Sequence, residues 1–234
     1  MTIDVCLTPA IYHLYHSPQC VVVVTDIFRA TTTIATAFHN GARSIRPVAT
    51  LDEAMEAKAA GFLVGAERNV RRCHFADFGN SPFDYAPQLV HDRDIVFTTT
   101  NGTRAVVAAR EAFAIASGAF VNISSIAGWC IRQQRDLIVL ASAWEDRPNL
   151  EDTLFGGALA AMLLPHGFRL ASDTAGMALD LWEHHANSLG EAIRKSDHYA
   201  RLKQHGLEDA VDYCLTPDSA PVVPEIRDGR FICL

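Results

Sequence analysis

The sequence predicts an α/β protein of three layers, α/β/α, with helices on both faces of a central, mostly parallel or mixed sheet and a helical C-terminal portion. Three observations predict it. Short β-branched apolar runs recur along the chain, the clearest being C-V-V-V-V-T at residues 20–25. An unbroken run of this kind suits a strand covered on both faces. Segments with helical spacing and recognisable caps alternate with these runs, and the connections between them are short. With 234 residues, 49% of them hydrophobic, the chain can fill one sizeable core. No low-complexity linker divides it, so residues 1–234 read as a single domain.

The elements follow in order. After the valine strand, residues 31–40 read as a helix closed by Gly41. Residues 44–48 are a short strand. Thr50-Leu51-Asp52-Glu53 is a capping box, and it opens an alanine-rich helix to Ala60 that Gly61 ends. Residues 62–65 form the next strand. Residues 66–93 are irregular and polar, with a turn at Gly79-Asn80-Ser81-Pro82. A strand at 94–98 leads into a helix at 102–112. Strands at 114–117 and 137–141 flank a helix at about 124–134, and 151–164 is a further helix. Residues 173–205 are mostly helical in pattern. Two short strands around Asp228-Gly229 give a hairpin signal near the end.

Composition narrows the function. The net charge of −7 argues against a nucleic-acid-binding surface, which needs clustered Lys and Arg. A small anion would be repelled at long range, so its site must supply local positive charge from arginines, helix N-termini or a metal ion. None of the six cysteines forms a C-x-x-C pair, which leaves reduced, buried thiols rather than a zinc site. No apolar window reaches transmembrane length, and Met1-Thr2-Ile3-Asp4 has no signal-peptide character, so a cytoplasmic protein without membrane partners is expected. Homo-oligomerisation stays open.

The chemistry is expected at the carboxyl ends of the strands, where open α/β sheets bind ligands. Asp26 follows the valine strand, and Arg29 and Thr31-Thr32-Thr33 start the next helix. A helix N-terminus, threonine hydroxyls and a guanidinium fork suit a phosphate. The aspartate would repel that phosphate unless a cation lay between them, and Mg²⁺ is the usual mediator. A second stretch, T-T-T-N-G-T-R-A at 98–105, has the same layout: Asp26-x-x-Arg29-Ala30 is matched by Asn101-x-x-Arg104-Ala105. Two such turns from neighbouring strands would place Thr100, Asn101, Gly102, Thr103 and Arg104 around the same anion as Thr31 and Arg29. Glu67 and Asp152 lie at other strand ends and are candidate metal ligands with Asp26. Each has a plainer explanation: Asp26 as a helix N-cap, Arg104 as a surface residue, Glu151 and Asp152 as first-turn acids complementing the helix dipole. His13, His16, His184 and His185 read as packed or solvated.

Together these stretches resemble one family. T-D-I-F-R-A-T-T-T, G-A-E at 65–67, G-N-S-P at 79–82, T-T-T-N-G-T-R-A, Asn122 in G-A-F-V-N, L-E-D-T-L-F-G-G at 150–157 and S-D-H-Y-A-R-L at 196–202 look like the 2-phosphosulfolactate phosphatase (ComB-like) family. The order and number of these motifs make the resemblance specific. It implies a Mg²⁺-dependent phosphatase that converts (2R)-2-O-phospho-3-sulfolactate to 3-sulfolactate plus phosphate, a step toward coenzyme M. It also implies substrate-binding roles for Asn80, Ser81 and Asn122. The chain departs from the family pattern twice: Ala143-Trp144 stands where a small glycine-containing turn is expected, and residues 68–76 carry Arg71, Arg72, Cys73 and His74. Two rival readings are a haloacid dehalogenase-type phosphatase and a non-catalytic binder of phosphorylated metabolites. The first needs a second aspartate two residues after Asp26, where Phe28 stands. A nicotinamide dehydrogenase is disfavoured, since no G-x-G-x-x-G follows the first strands.

Overall fold

The computed structural model describes residues 1–234. In chain order the strands and α-helices are β1 (Thr2–Cys6), β2 (Val21–Thr25), α1 (Ala30–His39), β3 (Ser44–Pro47), α2 (Leu51–Ala59), β4 (Leu63–Arg68), β5 (Arg71–Arg72), α3 (Pro87–Val90), β6 (Asp94–Thr98), α4 (Gly102–Ala108) and β7 (Ala114–Gly118). They continue with α5 (Ile123–Gln133), β8 (Leu137–Ala141), α6 (Leu150–Leu163), β9 (Arg169–Leu170), α7 (Asp173–His185), α8 (Leu189–Ile193), α9 (Asp197–Gln204), α10 (Val211–Cys214), β10 (Pro224–Arg227) and β11 (Arg230–Cys233). The fold is α/β with one mixed sheet, in the order β5-β4-β6-β3-β11-β10-β7-β2-β8-β1-β9.

The valine run shows why the sheet is covered on both sides. Val21 and Val23 pack with Ile3, Val5, Leu137 and Val139 into the large core under α5, α6 and α7. Val22 and Val24 point the other way, into a cluster with Cys6, Ile138, Leu140, Ala105 of α4 and Ala109 just after it. Strand side chains alternate between faces, so an unbroken apolar run must meet apolar cover on each. The capping box at Thr50 and Glu53 forms as expected. All six cysteines are free.

The sheet consists of two parallel blocks. In one, β4, β6 and β3 pair in parallel. In the other, β7, β2, β8, β1 and β9 do so. The C-terminal hairpin β10–β11 is wedged between them and is antiparallel to each. Its hold is narrow: Glu225 pairs with Ala116 on one side and Phe231 with Ile45 on the other. Following the pairings across it, the two blocks run in opposite senses. Twist accumulates strongly in such a two-stranded ribbon, and the carboxyl ends of β2 and β6 still converge on one cleft.

The arrangement differs from the sequence reading at several points. The two similar turns do not come from neighbouring strands; β3, β11, β10 and β7 lie between β6 and β2. The terminal hairpin, expected only as two short strands near the end, joins the halves of the sheet. Residues 1–19, given no element by the sequence, supply β1, whose T-I-D-V-C alternation was too short to stand out. The helix expected to Ala112 ends at Ala108, and the helical stretch at 173–205 breaks into α7, α8 and α9.

Candidate active site

The site is built on the loop that leaves β2. Asp26 donates its backbone N–H to Thr31 Oγ1 at 3.0 Å, and Thr31 Oγ1 donates back to the Asp26 carbonyl at 2.9 Å. Thr32 Oγ1 donates to the Ile27 carbonyl, and Thr33 Oγ1 donates to the Asn80 carbonyl, each at 3.0 Å. The three threonines thus tie the loop and the 79–82 turn to the first turn of α1. Their hydroxyls hold backbone rather than standing free for a ligand. The Asp26 carboxylate accepts from the Ala30 N–H at 3.3 Å, and Ile27 N–H donates to Asp152 Oδ1 at 2.9 Å. That last bond locks the start of α6 onto the loop after β2.

The second turn meets the first through a glycine. A Cβ on Gly102 would lie 2.8 Å from Ala30 Cβ and 3.1 Å from Asp26 Oδ2. The N-terminus of α4 therefore abuts the Asp26 carboxylate at a distance only glycine permits. Glu67, next to last in β4, is buried; its Oε1 accepts from the Val70 N–H at 2.7 Å and from Thr100 Oγ1 at 3.4 Å.

These groups line a cavity of about 210 Å³. Asp26, Glu67, Asn80, Thr100 and Asn101 are in its wall, with Phe28, Asn69, Val70, Thr99 and the segment Ala143-Trp144-Glu145. Asn149, His198, Arg201 and His205 complete it. Two rims hold non-glycine residues in the left-handed backbone region: Asn69 (φ 51°) and Val70 (φ 63°) on one, Ala143 (φ 59°), Glu145 (φ 49°) and Asp146 (φ 63°) on the other. Such conformations cost about 1 kcal/mol or more each and gather at ligand sites. The positive φ at Ala143 is a conformation that glycine adopts more readily, consistent with the glycine-containing turn that the family pattern implies there.

The electrostatics are unusual. Burial pushes the Asp26 carboxyl up to about 6, with His198 partly opposing the shift. Burial, then Glu151 and Asp26, hold the Asp152 carboxyl well above the ordinary carboxylate range. Several buried polar atoms at or near the site lack a partner: Asn80 Oδ1, Thr99 Oγ1, Glu151 Oε2 and Asp152 Oδ2. Buried polar atoms without a protein partner are few in folded proteins, and each can pair with a water, an ion or a ligand atom. Glu151, wholly buried, holds His198 Nδ1 through Oε1.

The other sequence candidates lie outside the cavity wall. Asp152 and Gly102 stand directly behind it, bonded to Ile27 and packed on Asp26. Thr103 donates its hydroxyl to the Thr99 carbonyl. Arg29 is buried and makes no side-chain hydrogen bond or ion pair of its own. Ser81 adjoins Asn80 before a short 3-10 turn. Arg104 is half exposed and pairs with Asp146 at 3.1 Å, so it braces the 143–149 loop from outside. Asn122 is a structural residue: its amide bonds the Ala119 N–H and the Ser117 and Val222 carbonyls, anchoring the C-terminal segment.

Sequence reasoning gave no role to His198, Arg201 or Asn149, and marked Trp144 only as a departure from the family pattern. His198 and Arg201 stand within S-D-H-Y-A-R-L, a stretch noted for its resemblance alone. Placing α9 against the ends of β2 and β8 requires the tertiary fold, which no local pattern gives.

No group of three or more His, Cys, Asp and Glu side chains converges as a ready metal cage. Magnesium does not need one, since it takes one or two carboxylates and fills its shell with water and substrate oxygens. The unpartnered Asp152 Oδ2 and the two buried carboxyls, Asp26 raised by burial with Glu67 and Glu151 adding to it and Asp152 by burial with Glu151 and Asp26 adding to it, are groups that suit a cation.

Fold and site together define an α/β protein with an acidic pocket at the strand ends, bordered by helix N-termini and cationic side chains. Comparison with known proteins narrows the class. The family model described as 2-phosphosulpholactate phosphatase matches residues 6–229. A protein of Clostridium beijerinckii named "Probable 2-phosphosulfolactate phosphatase" is 32% identical over 218 residues, covering 91% of both chains. Proteins of the same name from Thermotoga maritima (35% identical, 90% of both chains) and Prochlorococcus marinus (33%, 90% of both) are similar along the same span. The chain belongs to the 2-phosphosulfolactate phosphatase family, a family of phosphoric monoester hydrolases. No helix is long and apolar enough to cross a membrane.

Proposed function

We propose that this chain is a Mg²⁺-dependent phosphatase that hydrolyses (2R)-2-O-phospho-3-sulfolactate to 3-sulfolactate and phosphate, in the cytoplasm and as a step toward coenzyme M. The observation that carries the reading is Asp26. It is a buried carboxylate against two helix N-termini, with its pKa raised and the unpartnered Asp152 Oδ2 on the far side of its loop. A carboxylate so placed is unfavourable beside a phosphate without a cation between them.

Asp26, with either Asp152 or Glu67 beside it, would hold the magnesium, and when bound it would supply positive charge against the phosphoryl oxygens. The chain's own groups do the rest. Asn101, Thr100 and the N-terminus of α4 orient the phosphoryl group. Arg29, buried at the start of α1 with no carboxylate partner, supplies positive charge beside the Asp26 loop. Water attacks phosphorus, the bond to the ester oxygen breaks, and the leaving oxygen takes a proton. His198, fixed through Nδ1 by Glu151, has Nε2 as its other nitrogen to hold or deliver that proton. Asp26 serves better as a metal ligand than as a nucleophile, because the acid that would assist an aspartyl nucleophile is replaced by Phe28.

The test is phosphate release from a panel of 2-hydroxy-acid phosphates, with and without Mg²⁺. Release from 2-phosphosulfolactate that EDTA abolishes and Mg²⁺ restores is expected. Full activity after exhaustive chelation would remove the metal from the reading, and binding without phosphate release under any condition would make the chain a binder.

A further inference from the structure

Asn80 reaches the cavity from a turn outside any strand or helix, and buried side chains tie that turn at three main-chain groups. Asp84 Oδ2 accepts from the Gly79 N–H at 2.7 Å, the Tyr85 hydroxyl donates to the Gly79 carbonyl at 3.0 Å, and Thr33 Oγ1 donates to the Asn80 carbonyl at 3.0 Å. Just before the turn, Phe78 is laid along β4: its carbonyl accepts from the Ala66 N–H at 3.0 Å and its N–H donates to the Val64 carbonyl at 3.1 Å. The Asn80 side chain, by contrast, lines the cavity with Oδ1 unpartnered. A fixed backbone that leaves its side chain free at a cavity is how a binding group is held ready for its ligand.

Tyr85 is the tie that packing does not explain. Its ring is buried between Phe78 and Phe97, with ring centres 4.8 Å and 6.3 Å away, and a phenylalanine would fill that space equally well. The hydroxyl fits because residue 65 is glycine. A Cβ there would lie 2.1 Å from Tyr85 Oη and 2.7 Å from Phe97 Cδ2. Glycine inside a strand is unfavourable, and here it marks a close approach. Burial holds the Tyr85 hydroxyl well above its ordinary range, so it stays protonated and donates. The glycine of G-A-E at 65–67 thus makes room for the side chain that holds the glycine of G-N-S-P at 79–82.

We propose that Tyr85 is a positioning residue of the active site: its hydroxyl, admitted by Gly65 and bound to the Gly79 carbonyl, holds the 79–80 turn so that the Asn80 amide is presented to the substrate. The inference rests on the phosphatase reading and deepens it. Tyr85 touches no substrate and acts through Asn80. Without the hydroxyl, the buried Gly79 carbonyl loses its donor, and a buried carbonyl left unpaired is costly. The turn then rotates toward a new donor, and the Asn80 amide moves with it.

The experiment is a double-mutant cycle. It measures kcat and KM on the 2-hydroxy-acid phosphate that the wild type hydrolyses fastest, with Mg²⁺, in the wild type, Tyr85→Phe, Asn80→Ala and the double variant. Asn80→Ala should lose about tenfold or more in kcat/KM, the worth of a hydrogen bond to a charged group. Tyr85→Phe should lose on the order of threefold or more. The double variant should be no slower than Asn80→Ala, because the tie then has nothing left to position. A smaller folded fraction would instead multiply through both backgrounds, so the cycle separates positioning from stability. Wild-type kinetics in Tyr85→Phe or in Asn80→Ala, or a loss in the double variant equal to the product of the two single losses, overturns the inference. If the wild type hydrolyses none of the compounds, the phosphatase reading fails instead. The same four proteins titrated calorimetrically with inorganic phosphate and Mg²⁺ then decide the positioning role. A loss of affinity in Tyr85→Phe that disappears in the Asn80→Ala background supports it; equal affinity in all four, or no binding, overturns it.

Discussion

Glu151 Oε1 and His198 Nδ1 lie 2.5 Å apart, joining the first turn of α6 to the first turn of α9 across 47 residues of chain. Both side chains are buried, and the bond fixes the tautomer and rotation of the ring. His198 also meets Phe28 edge-on, with ring centres 5.7 Å apart, so the imidazole is held on two sides.

If His198 manages the proton of the leaving oxygen, His198→Asn should reduce kcat by about 10²-fold or more with little change in KM, the range for a positioned acid or base. Glu151→Gln keeps an acceptor for Nδ1–H but removes the charge, so its loss should be smaller. Steady-state kinetics on 2-phosphosulfolactate check both. A near-normal kcat in His198→Asn would return the pair to a structural contact.

The two arginines, equivalent by sequence pattern, should separate. Arg29 is buried and has no carboxylate partner, whereas Arg104 is half exposed and paired with Asp146. Arg29→Lys should lower kcat/KM by about 10²-fold, since an ammonium cannot reproduce the fork. Arg104→Lys should cost less than about tenfold, because an exposed ion pair is worth at most about 1 kcal/mol. Equal losses would mean that the 143–149 loop depends on Arg104 as strictly as the phosphate does on Arg29.

Much of the fold could be read in advance where the signal is local. The valine run, the capping box at Thr50 and the alternation of strands and helices each follow from a few adjacent residues. The place of β10–β11 does not, because its pairing with Ala116 and Ile45 joins residues more than a hundred positions apart. The site divides in the same way. Asp26, Glu67, Asn80, Thr100 and Asn101 were legible from strand-end position and motif. His198 and Arg201 were not, since helices α7 and α8 lie between them and α6 and only packing brings α9 back to the strand ends.

Asp26 should make the cation-free protein less stable as pH rises. Its carboxyl titrates near 6 when folded, against an ordinary 3.8. Below the lower value both folded and unfolded chains are protonated and the group contributes nothing. Between the two values the unfolded chain releases its proton first, so stability falls with rising pH; above 6 the penalty is constant. Asp152 acts in the same direction. In EDTA, Asp26→Asn should therefore melt higher than wild type at pH 7 but not at pH 4, by roughly 2–4 °C for each kcal/mol relieved. Adding Mg²⁺ should raise the wild-type Tm at pH 7 and leave the variant nearly unmoved. Melting curves at the two pH values check this, and a variant less stable than wild type at pH 7 in EDTA would contradict the raised carboxyl.

Gly102 offers the most local test of the shared site. Its missing side chain lets the start of α4 approach Ala30 and Asp26, and an added Cβ would meet Ala30 Cβ at 2.8 Å, with Asp26 Oδ2 and Thr99 Oγ1 each at 3.1 Å. Its conformation is helical, so Ala is not strained there and gains up to about 1 kcal/mol in helix propensity. Against that stands a crowding cost of about 1–3 kcal/mol. The net change in Tm should be small, while the Asp26 carboxylate or the α4 N-terminus must shift by a few tenths of an ångström. Phosphoryl positioning is sensitive to displacements of this size, so Gly102→Ala should lose about tenfold or more in kcat/KM while remaining folded. Gly61→Ala is the control: no atom lies within 4 Å of the added Cβ, but φ is +89°, so it should cost stability and leave kcat intact. Were Gly102→Ala fully active, the N-terminus of α4 would have no part in holding the phosphate, and the likeness between the two turns would reflect packing alone.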